Sequence, residues 1–403
     1  MTAPNFAPPR PSRRRCLARL GRLGLLAPGL WLPAASRSAE PTRPPAALLR
    51  VGRGQAVKSL AEAAARARDG MRVEVEAGDY IGDVAVWPQN DLSLCAVGGR
   101  VRLIGQGQAA QGKGIFVTRG ERQHIEGFDF SGAVVPDGNG AGIRLERGSL
   151  SLFDCTFRDN ENGLLSSNDH TVRLEIENCE FGPILRREGK THNLYVGAIA
   201  YLRVSGSYFH HGVLGHLLKS RAAVSHIFYN RLSDEIDGAA SYELEFPNGG
   251  QALVVGNLVQ QGSSTENPLM ISFGVEGYTW PRQELQLINN TLVDLLPRGG
   301  SYLRVSPGPA RVRAINNVLA GNPRLASDGH WEWRNNFVVD LDAFVRASRD
   351  DYALRPDSPL RGKAIDPGRA GDIELLPTRQ YRHPRGSQAL PGPARHPGAF
   401  QLP

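Results

Sequence analysis

Between about residue 120 and residue 340 the chain repeats itself, and this repeat limits the fold more than any other feature. The segments IEGFDF, LFDCTF, IENCEF, VSGSYF, IFYNRL, VVGNLV, LINNTL, AINNVL and WRNNFV align without gaps. In each, an apolar residue is followed three positions on by a fixed slot, and two positions later by another apolar residue. The slot holds Phe128, Cys155, Cys179, Ser207, Asn230, Asn257, Asn290, Asn317 and Asn336, at spacings of 27, 24, 28, 23, 27, 33, 27 and 19 residues. A period of this size describes one coil of a solenoid per repeat, with insertions in the loops.

The occupants of the slot fit a stack. Five asparagines in consecutive repeats form a ladder whose amides bond to one another and to the backbone of a bend. Cys155 and Cys179 serve as small apolar fillers of the same column. Two positions on, Phe130, Phe157, Phe181 and Phe209 give way to Leu232, Val259, Leu292, Leu319 and Val338, a continuous internal stack.

A second strand family runs between these segments: AGIRLER, NGLLSSN, HNLYVGA, GHLLKSR, SYELEFP, LMISFGV and SYLRVSP. Short strands with inward apolar and outward variable residues, and few helix patterns, predict an all-β chain wound as a parallel β-helix. One helix is expected at AVKSLAEAAARARDG, with Leu60, Ala63, Ala64 and Ala67 on one face and Asp69-Gly70 as its stop. Its task is to cap the open end of the solenoid. After residue 340 the pattern ends, and a tail rich in Pro, Arg and Gly is expected to wrap the outside in extended form.

The first 39 residues contain no acid and seven arginines, followed by a short apolar run and small residues. This is the pattern of an export signal, too short and interrupted to span a bilayer. Ser12, Arg13, Arg14 and Leu17 resemble the twin-arginine signal of bacteria, and a general secretory route stays open. The expected organisation is a signal over 1–39, a capped β-helix over 45–345 and a tail over 346–403, with the product periplasmic or secreted. Of 47 basic residues, 7 lie in the leader, which leaves 40 against 40 acids. A near-neutral mature chain has no general polyanion-binding surface, so nucleic acid is not expected as a partner.

The chain resembles secreted right-handed parallel β-helix proteins of the pectate lyase and chondroitinase B type. The carriers of the resemblance are LAEAAARARDGMRVEVEAGDYIGDV, the asparagine ladder, and DYALRPDSPLRGKA followed by GAF. It implies a right-handed β-helix with an N-terminal capping helix and an extended C-terminal tail. By analogy it also implies action on carbohydrate, although the fold carries other functions too.

On a β-helix, outward residues of successive coils form a row about 5 Å apart per step, which makes a groove for a linear polymer. The outward candidates are Arg144, Tyr195, Lys219, Arg221, Glu243, Glu245 and Arg304, with His192, Asn193 and His216 at the strand entrances and Tyr242 beside them. Three consecutive coils concentrate the titratable groups. The chemistry that fits is β-elimination on an acidic, uronate-containing polysaccharide, which needs a neutralised carboxylate, a base and an acid. Lys219 is the candidate base, with His216 or Tyr195 as alternatives for base or acid, and Arg221 and Asn193 as holders of the substrate carboxylate. His192, Tyr242, Arg144 and Arg304 are candidate substrate contacts. The resemblance to chondroitinase B implies calcium held by Asn and Glu, for which Asn193, Glu243 and Glu245 are the matching residues. Two other readings stay open: a uronate C5-epimerase, and a non-catalytic polysaccharide-binding β-helix. The same charges also suit plain ion pairs on a solvated face.

Overall fold

Each repeat folds into three short strands separated by bends. In the coil of Asn257 these are Gln251–Val255, Leu258–Gln261 and Leu269–Phe273. The first two kinds join one 21-stranded sheet and the third forms a nine-stranded sheet. The computed structural model describes residues 46–185, 191–265, 267–321 and 331–402, so the expected export signal lies outside the described residues. The result is an all-β parallel β-helix, as the repeat predicts.

The bend between the first two strands has one cause in every coil. The residue before the ladder slot is Gly127, Asp154, Asn178, Gly206, Tyr229, Gly256, Asn289, Asn316 or Asn335, all left-handed with φ between 51° and 85°. Gly, Asn and Asp tolerate that region best, which explains their dominance here; Tyr229 is the exception. The slot residue then closes the bend. Asn257 Oδ1 accepts from the Asn230 backbone N–H at 2.9 Å and from its side-chain amide at 3.0 Å, while Asn257 Nδ2 donates to Ile227 O at 2.8 Å. The same three bonds recur at Asn290 and Asn317, so no polar group of the buried corner is left without a partner through this stretch. Phe130, Phe157, Phe181 and Phe209 stack within the core, with centroids 5.0, 4.6 and 4.8 Å apart.

The helix, α1, covers only Leu60–Arg66, shorter than the sequence pattern suggests. Ser59 caps it by accepting the Glu62 N–H, and its chain turns extended at Ala67, before Asp69-Gly70. Leu60, Ala63 and Ala67 are buried as expected. The tail docks on a second, outer asparagine column: Asn289, Asn316 and Asn335 donate to His396 O, Ile365 O and Lys363 O.

The nine-stranded sheet carries the site. Its strands are β1 (Ala85–Trp87), β2 (Gly114–Thr118), β3 (Ala141–Leu145), β4 (Asn162–Ser166), β5 (His192–Val196), β6 (His216–Ser220), β7 (Tyr242–Phe246), β8 (Leu269–Phe273) and β9 (Ser301–Val305). Simple alternation fails within them. From β2 to β9 the second and third residues both turn inward, as Leu217 with Leu218, Met270 with Ile271 and Tyr302 with Leu303 show. In β3 and β4 the second residue is glycine, and a Cβ there would meet the Phe157 and Phe181 rings at 2.8 Å.

Replacing a ladder residue tests this account of the corner. Asn290→Ala strands the Asn257 N–H and Val254 O in a fully buried site. A loss of about 2–4 kcal/mol is expected in urea denaturation, and a loss under about 0.5 kcal/mol would show that the ladder adds nothing.

Candidate active site

Register builds the site. Parallel pairing aligns Arg144, Leu165, Tyr195, Lys219, Glu245, Ser272 and Arg304 in one row across seven strands, β3 to β9. Lys219 in β6 and Glu245 in β7 are therefore neighbours by construction, with Nζ 2.9 Å from Glu245 Oε2. Beyond the end of β6, Arg221 turns back over the row and its Nε donates to the Tyr195 hydroxyl at 2.9 Å.

A loop completes the cluster. Glu276 places Oε1 3.0 Å from Lys219 Nζ and 3.0 Å from Arg221 Nη2, and Oε2 2.6 Å from Arg221 Nη1. Asn248 also accepts from Arg221. Trp280, from the same loop, donates its indole N–H to Arg221 O at 3.0 Å and packs its ring 4.9 Å from that of His170. Glu276, Trp280 and His170 are functional candidates that the repeat pattern does not reveal. For Glu276 and Trp280 the signal is the 33-residue spacing between Asn257 and Asn290, the longest of the series, because the insertion is this loop; His170 lies in another coil, between Cys155 and Cys179, and has no such signal.

A second row runs beside the first. The rings of His192 and His216 lie 4.8 Å apart, and His216 stacks on Tyr242 at 5.1 Å and 10°. His192 Nδ1 accepts the His216 backbone N–H at 3.0 Å, so it carries no proton. His216 Nδ1, 2.9 Å from that same atom, must then be the protonated nitrogen of its ring. This leaves His216 Nε2 as an acceptor facing Glu245 Oε2 at 3.2 Å. A proton on Glu245 or on His216 Nε2 is required for that contact to be a hydrogen bond.

The electrostatics agree with this inventory. Burial, then the charges of Lys219 and Arg221, pushes His192 down to about 3. Burial, then His192 and the same cations, holds His216 well below the usual imidazole range. Burial raises Glu245, against the pull of Lys219. Hydrogen bonding from Arg221, reinforced by Lys219, keeps Glu276 below the ordinary carboxylate range despite its partial burial.

Of the residues expected from sequence, Tyr195, His192, His216, Lys219, Arg221, Tyr242 and Glu245 come together. Three corrections follow from the strand geometry. Glu243 is sealed in the core, in the second position of β7 where its neighbours hold Leu217 and Met270. Asn193 occupies the same inward position in β5 and donates to Phe181 O at 2.7 Å and His210 O at 2.8 Å, so it braces the backbone and does not reach the groove. Arg144 and Arg304 share the row but stand apart, separated from Tyr195 by the Leu165 coil and from Glu245 by the Ser272 coil. With Glu243 buried and Glu245 committed to Lys219 and His216, the pair does not present to one calcium ion. Among the described residues no group of three or more His, Cys, Asp and Glu is arranged to hold a metal.

No family model matches the sequence, and no curated protein does. Among solved structures, the crystal structure of pectate lyase Pel9A superposes with a TM-score of 0.58 at 12% identity, covering 89% of this chain and 97% of that one. The likeness establishes the class, a parallel β-helix of the pectate lyase kind of fold. At that identity it carries the fold alone, and the function must be argued from the groove.

The neutral histidines predict an acid limit to stability. Unfolded, an imidazole binds its proton near 6.5, whereas folded His192 does so at about 3. Stability from this residue is complete above about pH 6.5 and is lost as pH falls toward 3, by up to about 1.4 kcal/mol per unit. The drop in melting temperature between about pH 7 and pH 5 should shrink in His192→Gln, and an unchanged drop would show that His192 is not held neutral.

Proposed function

We propose that the chain is an exported enzyme that cleaves a uronate-containing polysaccharide by β-elimination in this groove. The observation that carries the reading is the carboxylate of Glu276 gripped by both Lys219 and Arg221, beside the Tyr195 hydroxyl. A site that gathers two cations and a phenol around one carboxylate suits a uronate. The likeness to a structure described as a pectate lyase supports the same class of substrate by analogy.

In this reading Arg221 neutralises the sugar carboxylate, which acidifies the neighbouring C–H. Lys219, as the free amine, takes that proton. The electron pair forms a carbon–carbon double bond, the glycosidic C–O bond at the adjacent carbon breaks, and the Tyr195 hydroxyl protonates the departing oxygen. Tyr195 recovers its proton from Lys219, which returns both groups to their starting forms. Glu245 is the nearest group able to relieve Lys219 of its resting proton, since it lies 2.9 Å away and burial favours its neutral form. His216, kept neutral, can accept a hydrogen bond from that acid. Trp280 and Tyr242 offer ring surface along the groove for sugars, while His192 is buried beneath them.

The test uses the mature chain with a panel of uronate polymers, with calcium and with a chelator, followed by ultraviolet absorbance of unsaturated ends. Lys219→Ala is expected to slow turnover about 10²–10⁴-fold, and Arg221→Ala about 10²–10³-fold, with circular dichroism unchanged. Wild-type rates in both variants would sink the assignment. An altered uronate ratio by NMR without unsaturated product would identify an epimerase, and binding with neither change would identify a binding protein.

A further inference from the structure

We infer that Glu276 is a built-in competitor for the substrate carboxylate, so that the groove accepts only ligands whose own anion displaces it. This rests on the reading of the groove as a uronate site and goes further, to what limits its affinity and selectivity.

Glu276 differs from the rest of the network in three ways. It stands at the mouth: its side chain is 43% exposed, against 10% for Lys219 and 3% for Glu245 beneath it. It belongs to a loop, whereas Tyr195, Lys219 and Glu245 are held in strand register. Its main chain is pinned independently of its carboxylate, because Glu276 N–H donates to Pro247 O at 2.9 Å and Thr279 N–H to Asn248 O at 3.2 Å. The carboxylate can therefore leave the clamp by side-chain rotation, with the loop staying in place.

The charge count defines the ligand. Lys219 and Arg221 face Glu245 and Glu276, and the two histidines of the site are neutral, so the resting cluster balances. With Glu276 swung out, one positive charge is left over at the mouth, and one monoanionic sugar carboxylate restores the balance. A neutral sugar or an esterified uronate supplies no such charge and meets a clamp already satisfied by Glu276. The apparent affinity for a uronate is then reduced by the fraction of time the clamp is open.

Two variants test this, with probes that do not depend on identifying the polymer. Acetate is the minimal carboxylate. It should raise the melting temperature of Glu276→Ala by several degrees more than that of wild type, with sodium chloride at equal ionic strength giving no such difference. Equal acetate effects in the two proteins overturn the inference. In the isosteric Glu276→Gln, KM for whichever polymer is cleaved should fall about tenfold, and an unchanged or raised KM would overturn the inference. Should wild type cleave no polymer, the lyase reading fails while the acetate comparison still decides the role of Glu276.

Discussion

Everything in this molecule depends on the hydrogen-bonded corner at the ladder slot. A left-handed residue turns the chain, and the next residue bonds both to the coil before and to the coil after. Because Asn230, Asn257, Asn290, Asn317 and Asn336 repeat one geometry, each coil is laid on its neighbour in the same register. Register has consequences far from the corner, since a slip of one residue would turn every groove side chain to the other face. Lys219 meets Glu245, and His216 meets Tyr242, because those positions are paired across β6 and β7.

The same rigidity shapes the electrostatics. Lys219 is nearly buried, and an ammonium removed from water is costly unless it is paired. Glu245 beneath and Glu276 above supply that pairing, and the adjacent histidine row stays uncharged, so no further cation crowds the site. An ion cluster of this kind adds little net stability over a well-packed apolar alternative. In the proposed reading its place in the middle of the sheet is accounted for by what it does to a ligand. The fold is shared with a pectate lyase structure at 12% identity, but the cluster is a property of this chain's own residues.

Much of this was legible in the amino-acid order. The column of asparagines and the phenylalanine stack recur at positions that a one-dimensional pattern preserves. The row of Tyr195, Lys219 and Glu245 followed from aligning the second strand family. What strict alternation could not show is that two successive residues of each strand from β2 to β9 turn inward. Glu243, one such residue, has the same parity as Glu245, yet it lies among Leu217 and Met270 in the core. Asn193 was misplaced for the same reason. Glu276 and Trp280 escaped because loops carry no periodicity; only the length of the coil between Asn257 and Asn290 marked them.

That contrast separates two roles within one site. Groups delivered by register cannot move without disturbing neighbouring coils, so Lys219, Glu245 and Tyr195 are preorganised, as the proposed chemistry requires of them. A group delivered by a loop is free of that constraint and can be exchanged for a ligand. The solenoid supplies the fixed half of the clamp, the insertion supplies the replaceable half, and their charges balance only when one anion, internal or bound, lies between Lys219 and Arg221. Variation in the inserted loop could therefore retune what the groove accepts while leaving the corner bonds, the register and the preorganised residues as they are.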